Sequence, residues 1–132
     1  MERMAKSFQE LKVWSKAIDL TVLVYELTAA FPRQEIYGLT SQMRRASVSV
    51  ASNIAEGSAR GTKRDFRQFV KLARGSNCEL QTQLIITRRL GFGEQEKRDQ
   101  VEALSNEIGK MLSGLSQYLT DRIRTEKLRT EN

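Results

Sequence analysis

Histidine is absent from this 132-residue chain, and cysteine and proline occur once each. Without histidine, the chain lacks the usual general base near neutral pH and the commonest metal ligand. Cys78 cannot supply the roughly four ligands of a structural zinc site. Arg74, one helical turn earlier, could lower its thiol pKa and make it reactive. A small, packed residue is the simpler reading. A single proline and eight glycines argue against a loop-rich or all-β fold. No apolar run approaches the roughly 20 residues that span a bilayer. Residues 1–7 lack the apolar stretch of a signal peptide. Together with the lone cysteine, these absences point to a cytoplasmic protein without a membrane partner. Gly57 and Gly61 flank a segment that lacks the Gly-Lys-Ser/Thr ending of a phosphate-binding loop. Ser49 and Ser52 have no histidine to complete a triad. The expectation is a non-enzyme with no catalytic residue, no cofactor and no metal.

Apolar residues recur at steps of three and four, the spacing that makes one stripe on a helix. Leu39, Met43, Ala46, Val50 and Ile54 form such a stripe, with Val48, Ala51 and Ala55 on a second line. Arg45, Ser49, Ser52 and Glu56 lie between them. Gly57 is expected to cap this helix, because glycine adopts the left-handed conformation without steric cost. Thr62 and Asp65 have the spacing of a capping box. They open a helix whose core stripe is Phe66, Phe69, Val70, Ala73, Asn77, Leu80, Leu84 and Thr87. A separate row there holds Leu72, Glu79, Ile86 and Leu90.

Four helices are predicted, at about 8–30, 39–56, 62–90 and 94–123, with a polar tail at 125–132 expected to fray. The first carries two apolar rows. Leu11, Trp14, Ile18, Val22 and Tyr25 form one, and Val13, Ala17, Leu20, Val24, Leu27 and Phe31 the other. The last carries a near-heptad seam of Val101, Leu104, Ile108, Met111, Leu115 and Tyr118, extending to Arg122. Gly109 and Gly114 within it read as close-packing points. Short connections predict a single all-α domain over 1–132, an antiparallel up-down-up-down four-helix bundle. Apolar faces broader than one bundle needs predict a homo-oligomer.

The net charge of +6 is concentrated in one helix. Residues 62–90 hold seven Lys/Arg against two Asp/Glu, whereas 91–132 hold seven against eight. Arg60, Arg64, Arg67, Lys71 and Arg74 follow steps of four and three, and Lys63 joins the same side. Over about 20 Å this row is either a solvated face or a strip that tracks RNA or DNA phosphates. No aromatic side chain interleaves with it, so binding would be salt-sensitive and nearly sequence-blind. Asn53, Glu56 and Glu79 also admit two readings. They are either an acid cluster for a ligand or a polar network in which Glu79 meets Arg44 or Arg45 and Asn53 bonds the corner backbone. A buried carboxylate needs such a cation nearby.

Ser-Asn-Ile-Ala-Glu-Gly (52–57), Arg-Asp-Phe-Arg-Gln-Phe (64–69) and Ala-Arg-Gly-Ser-Asn-Cys-Glu-Leu (73–80) resemble a family of small bacterial four-helix proteins. That family was first noticed as reading frames in intervening sequences of large-subunit rRNA genes. Phe8 to Trp14 and the Phe31-Pro32 to Leu39 connection fit the same pattern, so the resemblance spans roughly 8–92. It implies a cytosolic bundle that forms a ring-like homopentamer. A distant branch serves retroelements by binding a reverse transcriptase and nucleic acid. The partners expected are therefore further copies of the chain, RNA or DNA, and a nucleic-acid-processing protein.

Overall fold

The computed structural model describes residues 11–131 and is all-helical among them, with four α-helices and one short 3-10 turn. Helix α1 is Lys12–Thr28, α2 Leu39–Ala59, α3 Lys63–Leu90 and α4 Gln95–Glu131. The 3-10 turn, Arg33–Glu35, sits in the Pro32 connection. Residues 8–10 of the predicted first helix lie outside the described residues.

The helices pack around one core, in the manner of a four-helix bundle. Leu20, Val24 and Leu27 of α1 meet Met43, Val50 and Ile54 of α2 in that core. Phe66, Val70 and Leu80 of α3 and Ile108, Leu112 and Leu119 of α4 complete it. Each of these side chains is inaccessible to solvent or nearly so. Burying one such side chain contributes about 1.5–3 kcal/mol.

The corner between α2 and α3 differs from the expectation at Gly57. That residue is helical and buried, and α2 continues past it to Ala59. A Cβ on Gly57 would lie 2.5 Å from Phe69 Cβ, so the missing side chain lets α3 approach. The left-handed turn falls instead at Gly61, with φ 90°. Thr62 does cap α3, its hydroxyl accepting from the Asp65 N–H at 3.1 Å. At the other end Gly91 is left-handed, and its N–H turns back to Arg88 and Thr87 carbonyls.

The last helix corrects the sequence reading twice. It runs through the segment expected to fray, because Ile123 is buried and Lys63 holds Glu126 at 2.8 Å. Its buried face is Val101, Ser105, Ile108, Leu112, Ser116, Leu119 and Ile123. Leu104, Met111 and Leu115 only flank that core, and Tyr118 is exposed. Gly109 is a close-packing point, 3.3 Å from Asn77 Nδ2 for a would-be Cβ, whereas Gly114 has open space.

Of the two α1 rows, Val13, Ala17, Leu20, Val24 and Leu27 turn inward. Ile18, Val22 and Tyr25 of the other remain 39–55% exposed. Exposed Val48 of α2 lines a shallow depression of about 360 Å³ with Tyr25 and Ile36.

Candidate nucleic-acid interface

Helix α3 positions the predicted basic residues, and its neighbours engage some of them. Arg60, which ends α2, pairs with Glu56 at 2.9 Å. Its guanidinium also lies 4.9 Å from the Phe69 ring centroid. Lys63 pairs with Glu126 of α4, and this hydrogen-bonded ammonium holds that carboxyl below the usual carboxylate range. Arg67 is half-buried and donates to Thr120 Oγ1 of α4 at 3.4 Å. Arg64, Lys71 and Arg74 are exposed. None of the three makes an ion pair with an acidic side chain among the described residues. The strip is therefore a row of three open cations with tethered cations at its lower end and beside Thr120.

One member of this surface comes from α4 and was missed in the sequence. Lys110 lines an open depression of about 540 Å³ together with Arg74, Gln81, Asn106 and Ser113. Helical periodicity within α3 could not reveal it, because the pairing of α3 with α4 decides which α4 residue faces Arg74. Cys78 is exposed and edges the same depression.

The proposed polar network is arranged differently. Glu79 is exposed and accepts from Gln83 Nε2 at 3.3 Å, and no ion pair joins it to Arg44 or Arg45 among the described residues. Arg44 instead donates to Thr28 Oγ1 at 2.9 Å and stacks 4.5 Å from the Tyr25 ring centroid. Arg45 is exposed on α2. Asn53 bonds its own helix, donating to the Ser49 carbonyl at 2.8 Å and to Ser49 Oγ at 3.0 Å, rather than to the corner backbone. Ser49 Oγ then meets Ser76 Oγ of α3 at 2.8 Å. A pair of hydroxyls, not a carboxylate with an arginine, links α2 to α3 here, and the Asn53 amide steadies Ser49 from within α2. Among the described residues no cluster of three or more His, Cys, Asp and Glu could hold a metal. No described helix is long and apolar enough to cross a membrane.

The model of the 23S rRNA-intervening sequence protein family matches residues 9–114. The chain belongs to that family. Among solved structures it is similar to a protein of unknown function from the S23 ribosomal protein family of Bacteroides thetaiotaomicron. The TM-score is 0.70 at 21% identity, covering 79% of this chain and 97% of that one. A likeness at that identity speaks for the shared fold. The comparison with curated proteins gives no match. In the 23S rRNA-intervening sequence family, then, this member carries its excess of positive charge on α3.

Proposed function

We propose that this chain is a non-enzymatic, self-assembling scaffold of the cytoplasm that holds RNA or DNA by charge. The observation that carries the reading is the row Arg64, Lys71 and Arg74, exposed and without acidic partners among the described residues. Cations left uncompensated in a row attract a polyanion and release its counterions. The helices are read as an antiparallel up-down-up-down bundle, in keeping with Thr21 of α1 meeting Ser47 of α2 while Thr28 meets Arg44. Copies associate through the apolar α1–α2 face of Ile18, Val22, Tyr25 and Val48. The family resemblance implies five of them. Repeated strips on one assembly then act together through avidity.

Fluorescence anisotropy with mixed RNA tests the binding. Arg64→Glu with Lys71→Glu reverses two exposed charges that form no ion pair in the fold. The double variant is expected to lose binding at low salt while keeping its helical circular dichroism. Undiminished binding would remove the strip from the account. Light scattering tests the assembly: Ile18→Asp with Val22→Asp is expected to release monomers, and a wild type that is already monomeric ends that part of the reading.

A second reading has its own observation. Leu72, Ile86 and Leu90 are exposed apolar residues of one α3 row, which the exposed Glu79 interrupts. Such a row suits an adaptor that docks on another protein, such as the nucleic-acid-processing partner the resemblance implies. Nuclease treatment during a pull-down separates the two, since only a protein contact survives it.

A further inference from the structure

The strip on α3 forms one wall of a groove whose other wall is α4. Arg74 and Lys110 share the same depression from opposite helices. Lower in the groove, Arg67 reaches across to Thr120. Arg124, exposed, lies fourteen residues beyond Lys110, on the same side of α4 by helical spacing. Several acidic side chains of α4 are held by cations outside the middle of this channel. From residue 103 to 120, α4 carries one, Glu107, and it is held by Lys16 of α1 at 2.7 Å. At one end of the seam Asp99 and Glu102 are occupied by Arg88. At the other, Glu126 is occupied by Lys63, and Asp121 accepts from Gln117 at 3.0 Å. The middle of the groove is thus cationic on both walls, with Arg74 facing Lys110, and the exposed carboxylate of Asp121 lies further along α4.

Resting on the nucleic-acid reading above, we infer that the polyanion is a single strand lying lengthwise in the α3–α4 groove. It is gripped by Arg67, Lys71 and Arg74 from one wall and by Lys110 and Arg124 from the other. The two helices pack in contact, so the depression between them is a surface trough, which a flexible single strand can follow with its phosphates toward both walls. A stiff duplex cannot bend into such a trough and would reach the cations of one wall at a time. Small residues keep the floor open: Gly109 has no side chain, and Ser113 follows one turn later. The floor amide of Asn77 is already bonded to Ser105, so it reads no base. Charge along a channel without aromatic platforms gives binding that is indifferent to sequence.

The test is anisotropy of the full chain with labelled oligothymidylate and with a duplex of equal length, across a salt series. The single strand is expected to bind about tenfold or more tighter. Lys110→Glu with Arg124→Glu should weaken it about as much as Lys71→Glu with Arg74→Glu does. The milder Lys110→Ala with Arg124→Ala should lower the logarithmic salt slope by about 1.4, at roughly 0.7 for each phosphate no longer neutralised. Lys12→Glu with Arg33→Glu removes the same charge from exposed positions outside the groove and should leave binding nearly unchanged. Equal or tighter duplex binding overturns the groove while leaving nucleic-acid binding in place. So does loss of binding confined to the α3 variants. Failure to bind either probe overturns both.

Discussion

Asn77 and Ser105 hold each other across the α3–α4 seam by a reciprocal pair of hydrogen bonds. Asn77 Nδ2 donates to the Ser105 carbonyl at 3.0 Å, and Ser105 Oγ donates to Asn77 Oδ1 at 2.8 Å. Both residues are buried, and Gly109 leaves room for the amide one turn further along α4. Removing the amide strands the Ser105 hydroxyl, and removing that hydroxyl strands Asn77 Oδ1 while the bond to the carbonyl stays. Asn77→Ala and Ser105→Ala should therefore each cost about 1–3 kcal/mol. The double variant should cost less than the sum, since the second removal strands nothing further. Urea unfolding of all four proteins measures the coupling. Strict additivity would mean the pair acts as two independent packing residues.

Glycine to alanine should have opposite signs at two helical positions. At Gly57 the added methyl would collide with Phe69, with no flexible chain end to move aside. Gly57→Ala is expected to destabilise by about 1–3 kcal/mol. Gly75, exposed on α3, has open space around its Cβ direction. There alanine should stabilise by about 0.5–1 kcal/mol through helix propensity. Thermal melts of the two variants decide the matter, and equal shifts would contradict the close approach at the α2–α3 corner.

The Lys63–Glu126 pair makes a statement about pH. The folded carboxyl titrates below its ordinary value, chiefly through the Lys63 hydrogen bond, with Coulombic help from Arg122 and Arg129. A depressed carboxylate contributes fully above its unfolded pKa, and that contribution is lost as pH falls through the folded one. The pair is solvent-exposed at its acid end, so its effect should shrink as salt is added. Lys63→Ala should move the Glu126 titration, followed by NMR, back toward the ordinary carboxylate value. A midpoint that stays put would show that α4's own cations hold it there.

What the sequence made legible was whatever depends on one helix at a time. The α3 core stripe needed only the spacing of Phe66, Val70, Ala73, Asn77, Leu80 and Leu84, and those residues are buried. The Thr62 cap is equally local. On α4, two apolar rows overlap, and periodicity alone favoured Tyr118 where packing buries Leu112 and Leu119. Small hydroxyl residues such as Ser105 and Ser116 carried no apolar signal, yet they face the core because α4 lies close to its neighbours. Gly57 and Gly61 looked alike as chain punctuation; the position of Phe69 on the next helix separates their roles. The basic row was legible as a row. Its second wall was not, because Lys110 belongs to it only through the pairing of α3 with α4.

Where α1 ends and where α3 gives way to α4, the two turns are fastened together. Phe31 and Phe92 pack at a 55° tilt with ring centroids 5.6 Å apart, and Gly93 sits against Leu27 and Phe31. Arg98 Nη1 draws in the Phe92 and Gly93 carbonyls at 2.8 and 2.7 Å. Turns so distant along the polypeptide cannot open one without the other, so amide protons at this pole should exchange as one cooperative group. Fluctuations of the bundle are then biased toward its opposite pole, where an exposed ion pair rather than packed rings secures the end of α4.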